Sequence, residues 1–203
     1  MKLRYSPTSP YVRKVIVLAL ERGLDKKIER LPTVTSPVAP DAALSKDNPL
    51  IKVPAMTLKN GITLFDSPVV CEYLDTLHKG AKLFPASGAR RWKALRQQAI
   101  GDGLLDAALL VRYEVAVRPE NLRWKEWIDG QMRKIAQTLD VLEREAGDLA
   151  GGLTIGQITI GCALGYLDFR FADMGWRKTR PKLAAWFEKF SKRKSMQATM
   201  PPK

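Results

Sequence analysis

The sequence predicts two dissimilar domains in a chain of 203 residues: a small α/β domain first and an all-helical domain after it. Three observations carry this. Residues 1–79 read as strand, helix and strand, followed by a hairpin and another helix. Residues 80–88, GAKLFPASG, have the Gly, Pro and Ser of a linker. From 89 to 203 the apolar residues recur at helical spacing.

KLRY, residues 2–5, reads as a short strand. Pro10 to Gly23 reads as a helix, since Val12, Val15, Ile16, Ala19 and Leu20 share one face and Gly23 supplies the stop. IERLPTV, 28–34, is a second strand, and a Pro-rich loop leads to a weak helical turn around DAALSK. PAMTLK, 54–59, and TLFD, 63–66, flank Asn60-Gly61, the strongest short hairpin signal. A helix then runs from Ser67 to about Lys79 and stops before Gly80.

In the helical part, Trp92, Leu95, Ala99, Leu109, Leu110 and Tyr113 mark one long helix. Trp124, Ile128, Met132, Ile135, Leu139 and Leu142 mark a second. TIGQITIGCALGYLDF, 154–169, is apolar almost all round and is expected to be the buried central helix. Gly161 and Gly165, one turn apart, would let a neighbouring backbone come close. A last helix covers about 181–191.

Lys and Arg number 34 against 21 Asp and Glu, a formal net charge of +13. Residues 1–86 hold 13 basic and 8 acidic side chains and the remainder 21 and 13, so the charge is spread out. Such a field suits anionic small molecules, acidic proteins or nucleic acid and does not choose among them. The cluster Lys189, Lys192, Arg193 and Lys194 reads as a solvated helix end, and nucleic acid is not the expected partner. Cys71 and Cys162 are far apart on apolar stripes, with neither a disulfide framework nor zinc spacing; they read as core residues, and no metal is expected. No apolar run approaches the roughly 20 residues that span a bilayer. VIVLAL, 15–20, is followed by charge and no cleavage site, so a signal peptide is rejected and a cytoplasmic location is expected.

Three motifs carry chemistry. Ser9-Pro10 reads first as a helix cap followed by a favoured first helical residue. The same helix end presents unpaired N–H groups and partial positive charge, which stabilise an anion such as a thiolate. NPLIKVPAM, 48–56, reads either as a loop feeding a strand or as a cis Val53-Pro54 turn that offers the Val53 N–H and C=O to an extended peptide. FDSPVVCEYL, 65–74, repeats the cap-proline-helix design at Ser67-Pro68, and Asp66 beside it suits an ammonium group. A small peptide with a thiolate, a free amine and carboxylates would match all three.

The set SPY at 9–11, NPLIKVP at 48–54 and FDSPVVCEYL at 65–74 resembles the glutathione-binding half of cytosolic glutathione S-transferases, here of a bacterial, serine-type kind. TIGQITIGCALGYLDFR resembles that family's capped core helix, and RPKLAAWFEKF its last long helix. The resemblance implies a thioredoxin-like domain over 1–79, a linker at 80–88 and a helical bundle over 89–203. It implies glutathione as co-substrate and a homodimer, and detoxifying conjugation as the activity. Ser9 would stabilise the thiolate, Val53 would pair with the cysteinyl unit before a cis Pro54, and Asp66 and Ser67 would hold the γ-glutamyl end. Lys52 is a partner for a glutathione carboxylate or a solvated lysine. Tyr11 and Tyr113 either flank the second-substrate pocket or pack.

Two residues depart from the family pattern. Ile51 stands where relatives commonly have glycine, which is expected to reshape the loop. Gln157 stands where the capping box usually carries Asp; with Thr154 it still satisfies the box, in a slightly weaker helix. Asp102 and Asp106 share a stripe with apolar residues, as a partly exposed pair or as part of a cleft or dimer seam, and His78 is expected to be exposed at a helix C-terminus. The leading function is glutathione conjugation to an apolar electrophile. Thiol exchange would need a cysteine at residue 9, peroxidase activity stays open, and a non-catalytic scaffold for protein or RNA is the reading from another class.

Overall fold

The computed structural model describes residues 1–202, in two compact units: Met1–Arg91 joined by the segment from Lys194 onward, and Trp92–Arg193. The first holds a four-stranded mixed sheet in the order β2-β1-β3-β4. Strand β1 (Lys2–Tyr5) pairs in parallel with β2 (Glu29–Pro32) and antiparallel with β3 (Met56–Thr57), which pairs antiparallel with β4 (Thr63–Leu64). Helix α1 (Pro10–Glu21) is the crossover that a parallel pair demands. Its Val12, Val15, Ile16 and Ala19 are buried as the periodicity predicts, and it packs on α3 (Ser67–Thr76) through a core that includes Val70, Cys71 and Leu74. This is the predicted thioredoxin-like arrangement.

The predicted elements shrink at their ends. The hairpin strands are two residues each, closed by Asn60 Oδ1 accepting the Ile62 N–H and by Gly61 at φ +85°. Helix α3 stops at Thr76, short of Lys79, because the Asp75 carboxylate turns back. It is 3 % exposed and accepts the N–H groups of Leu83 (3.0 Å) and Phe84 (2.9 Å). His78 Nε2 lies 2.8 Å from the same carboxylate, and Lys82 donates to the Asp75 and His78 carbonyls. His78 is therefore a nearly buried partner of Asp75, not the exposed residue expected. The 80–88 segment is likewise not simply solvated, since Leu83 and Phe84 are buried.

Residues from 194 onward pack with the first unit, whereas the sequence reading grouped them with the helical domain. The reason lies in α1. Its Arg13 side chain is buried and donates to the Met196 carbonyl (3.0 Å) and Thr199 Oγ1 (3.3 Å), while Ser195 Oγ donates to Glu21. The short helix α8 (Lys194–Gln197) is the result.

A tight loop follows helix α2 (Ala42–Asp47), which Asp41 caps through the Leu44 N–H. Asn48 is 1 % exposed; its amide donates to the Lys52 carbonyl (2.8 Å), and its Oδ1 accepts the Leu50 N–H (3.0 Å). Ile51, inside this wrap, has φ +52°. A left-handed conformation costs an L-residue about 1–2 kcal/mol and is least suited to a β-branched one. Glycine would adopt it freely, and nothing in the structure explains why isoleucine stands here.

The second unit is helical: α4 (Gly88–Ala116, entering from the first unit), α5 (Lys125–Arg144), α6 (Ile155–Arg170) and α7 (Pro181–Ser191). Helix α6 is buried continuously from Ile155 to Leu164, Cys162 included. Gln157 Oε1 accepts the Thr154 N–H (2.6 Å), and its amide donates to the Leu149 and Gly152 carbonyls, bonds that an aspartate could not make. Close approach rests on glycine: a Cβ at Gly161 would sit 2.4 Å from the Phe190 ring, so an aromatic side chain, not the neighbouring backbone expected, fills that space. Gly101, whose Cβ would meet Thr159 at 2.8 Å, plays the same part. On α4 the buried stripe is Ala94, Gln97, Gly101, Leu104, Leu105, Ala108 and Val111. Trp92, Ala99, Leu110 and Tyr113, which mark the helix in sequence, lie on its exposed side, with Asp106 exposed and Asp102 half-buried among them. No helix of the described residues is long and apolar enough to cross a membrane.

Two expectations test this packing. Gly161→Ala should lower unfolding free energy by about 1–3 kcal/mol in urea titration, since the Phe190 ring must move for one methyl group. Asn48→Ala should cost about 1–3 kcal/mol by stranding the Leu50 N–H and Lys52 carbonyl, with protease cleavage at 48–52 as the local readout.

Candidate functional site

The strand register decides which segments meet. Strand β1 runs towards Tyr5, so α1 begins just beyond that end. Because β3 is antiparallel to β1, with Leu3 opposite Met56, the residues preceding β3 lie at the same end, and the Arg4 N–H donates to the Ala55 carbonyl at 2.9 Å. Strand β4 reverses once more, with Leu64 opposite Met56, so Phe65, Asp66 and Ser67 also emerge there. The sheet thus gathers Ser9, Val53-Pro54 and Asp66-Ser67 at one end. Ser9 lies 44 residues before Val53 in sequence, and Asp66 lies 12 after Pro54.

Ser9 is the N-cap of α1, in extended backbone conformation, and its Oγ accepts the Val12 N–H at 3.3 Å. The capping reading is therefore realised. It uses an oxygen lone pair and leaves the hydroxyl proton available as a donor. Pro10 follows at the first helical position, where its missing N–H costs nothing. Tyr11, one residue further, is half-buried, and the Lys14 ammonium lies 6.0 Å from its ring centroid. Lys14 is fully buried and Arg13 nearly so, which the apolar stripe of α1 did not signal.

The Val53-Pro54 peptide bond is cis, the second of the two readings of that motif. Val53 is half-buried and Pro54 buried; neither the N–H nor the C=O of Val53 pairs with another backbone group among the described residues. Lys52 is exposed, and its carbonyl is held by Asn48. Asn48 is the residue that sequence reasoning missed. Its signal was present, as a turn-forming Asn-Pro at the head of the quoted motif.

At the third segment the structure shifts the assignment by one residue. Asp66, not Ser67, occupies the N-cap position of α3; Ser67 is the first helical residue, 2 % exposed, with Pro68 next. Asp66 is exposed, and its side chain makes no capping bond to its own helix. The Phe65-Asp66 bond is also cis. Tyr113 belongs to α4 of the second unit, is 36 % exposed, and burial pushes its phenol above the usual range.

Chemically, this end of the sheet presents two helix N-termini, one capped by a hydroxyl, an unpaired backbone stretch at Val53 and an exposed carboxylate. Helix N-termini favour negative charge, an unpaired strand-like segment favours an extended peptide, and a carboxylate favours an ammonium group.

The N-terminal domain of glutathione S-transferases matches residues 8–77, and the C-terminal domain of the same proteins matches 125–189. The uncharacterised GST-like protein YibF of Escherichia coli K12 is 35 % identical over the full length of both chains. A glutathione transferase family member from Pseudomonas fluorescens Pf-5, crystallised with bound glutathione, is 49 % identical with a TM-score of 0.98, covering 100 % of this chain and 99 % of its own. A second such structure from that organism, with S-(propanoic acid)-glutathione, is 46 % identical over the whole of both chains with a TM-score of 0.93. One from Methylobacillus flagellatus KT with glutathione bound is 33 % identical over 99 % of both chains, with a TM-score of 0.90. Sequence motifs, sheet register and these likenesses agree: the chain belongs to the glutathione S-transferase family.

Proposed function

We propose that the protein is a glutathione transferase that ionises the glutathione thiol at the N-terminus of α1 and directs the thiolate at a small apolar electrophile. The observation that carries this is the convergence of Ser9, Val53 and Asp66-Ser67 at one end of the sheet. Relatives 33–49 % identical hold glutathione or a glutathione thioether, which supports the same ligand here. The thiol gives its proton to solvent, and the Ser9 hydroxyl donates a hydrogen bond to the sulfur while accepting from Val12. The sulfur then forms the new bond to carbon as the leaving group departs. Each unit by which the thiol pKa falls corresponds to about 1.4 kcal/mol of thiolate stabilisation and raises the reactive fraction near neutrality.

Val53 pairs through its backbone with the cysteinyl unit, the α3 N-terminus at Ser67 takes the γ-glutamyl carboxylate, and Asp66 takes its amine. Lys52 pairs with a remaining carboxylate. Tyr11 borders the pocket for the second substrate. The protein works in the cytoplasm as a homodimer. Support for the dimer comes from the outer side of α4, where Trp92 is 69 % exposed and Leu110 41 % exposed on a face that also carries Asp102 and Asp106 and that a second copy would cover. Conjugation needs no protein thiol, whereas thiol exchange of the glutaredoxin kind does, and Ser9 stands in that place.

Ser9→Ala should raise the apparent pKa of bound thiol by about one unit or more and cut kcat/KM for 1-chloro-2,4-dinitrobenzene by roughly tenfold or more. Ser9→Asn separates the two roles of this residue. It restores a helix cap of equal quality, so thermal stability should return while the conjugation rate does not; if both return, Ser9 is only a cap. Binding to immobilised glutathione, with elution by free glutathione, checks the reading without choosing an electrophile. Retention on heparin with a steep salt dependence, and none on glutathione, would select the scaffold reading instead.

A further inference from the structure

We propose that the outward face of α7 is a docking surface for an anionic phospholipid membrane. The even split of charge between the two halves of the chain hides a local excess. Residues 177–194 hold eight Lys and Arg against one acid, Glu188, a net +7 of the chain's +13. Part of that charge is neutralised within the fold: Arg177 pairs with Asp168, Arg180 with Asp140 and Lys192 with Glu188. Lys178, Lys182 and Lys189 are exposed and make no ion pair among the described residues.

Helix stability does not account for their placement. A cation in the last turn, such as Lys189, complements the helix dipole, but Lys182 is the second residue of α7, at the end where the dipole disfavours positive charge. The first turn of α7 holds no acid of its own. Glu143 of α5 caps that end, accepting the Lys182 and Leu183 N–H groups at 3.1 and 2.8 Å, without an ion pair to the Lys182 ammonium.

The arrangement has a shape. Leu183, Phe187 and Phe190 are buried and commit one side of the helix to the core. Lys182 and Lys189 lie one above the other on the exposed side, seven residues and about 10 Å apart along the axis. Between them stand the exposed Ala185 and the half-buried Trp186. The Trp186 Nε1–H donates to the Leu149 carbonyl at 3.1 Å, and its ring stacks on Phe190 with centroids 4.8 Å apart. Its polar atom is engaged within the unit, so the edge it shows to solvent is hydrocarbon.

Lysines bracketing a small apolar strip suit a lipid interface. Their stems extend until the ammonium groups reach headgroup phosphates, and an indole edge rests at headgroup level. Lysine is a hydrated point charge on a flexible stem, fit for a diffuse array of phosphates, and lacks the planar fork that reads one oriented carboxylate or base. A convex helix face also meets a flat, extended partner with several cations at once. A nucleic-acid face would place stacking or hydrogen-bonding groups between the cations, where Ala185 and the carbon edge of Trp186 stand here. The surface goes beyond the transferase reading and does not rest on it.

Co-sedimentation of the full chain with vesicles tests this, with phosphatidylcholine alone set against phosphatidylcholine carrying about 30 % phosphatidylglycerol. Binding to the anionic vesicles alone is expected, weakening as salt screens the headgroups. Each lysine at such a surface raises partitioning by about fivefold, so Lys182→Gln/Lys189→Gln should weaken binding by roughly tenfold or more. Lys182→Arg/Lys189→Arg keeps the charge and should bind as the parent chain does. Lys26→Gln/Lys27→Gln removes the same charge from exposed side chains of the first unit and should leave binding within about twofold. Absence of binding to the anionic vesicles, or its loss in the arginine variant, would overturn the proposal. An equal loss in the two glutamine variants would do so as well, since attachment would then follow net charge and not this face. So would a duplex oligonucleotide that binds more tightly than the vesicles and is lost with Lys182 and Lys189, since the face would then serve nucleic acid.

Discussion

The pairing of β3 against β1 is the constraint on which the rest of the first unit depends. Setting Leu3 opposite Met56 fixes the end of the sheet at which residues 53–55 arrive, and through β4 it fixes where α3 begins. A slip of one residue would turn the buried Leu3 and Met56 outward and aim the Val53 backbone the other way. The register is therefore held by burial, not by the hairpin alone, since strands of two residues contribute few hydrogen bonds. Asn48 finishes the arrangement locally. Its buried side chain replaces backbone pairings that the 48–52 loop cannot make for itself, and this allows Ile51 to remain in a conformation its side chain resists.

The two units solve packing differently. In the first, two buried charged side chains are matched by fixed partners: Asp75 by two backbone N–H groups and His78, and Arg13 by a carbonyl and a hydroxyl. An unpaired buried carboxylate or guanidinium would cost several kcal/mol, so each such group dictates the path of the chain around it. In the second unit the device is subtraction. Gly101 and Gly161 lack the one atom that would force α6 away from its neighbours, and the apolar sequence of α6 fills the space.

Much of this was readable from the chain, for identifiable reasons. Asn60-Gly61 permits few conformations besides a hairpin, Ser9-Pro10 is a local helix start, and a run apolar almost all round, such as 154–169, has nowhere to go but a core. What was not readable depends on contacts between residues distant in sequence or on competition between equivalent patterns. Asp75 looks like an ordinary helical aspartate until Leu83 and Phe84 fold back onto it. Lys14 and Arg13 look like a solvated face. Helix α4 carries leucines at 104, 105, 109 and 110, so periodicity finds the helix but cannot say which side turns inward. The shift from Ser67 to Asp66 as the N-cap is the ordinary one-residue uncertainty of helix ends.

The grip of Arg13 on Met196 and Thr199 has a consequence for biosynthesis. The unit holding Ser9 takes pieces from both extremes of the described chain, with the residues of the helical unit between them in sequence. On the ribosome, α1 emerges early and then waits through the translation of more than a hundred residues before the carbonyl meant for its guanidinium appears. Throughout that interval the Arg13 guanidinium, buried in the finished fold, faces water or a chaperone. The helical unit is built from one continuous stretch, 92–193, and is free to set first.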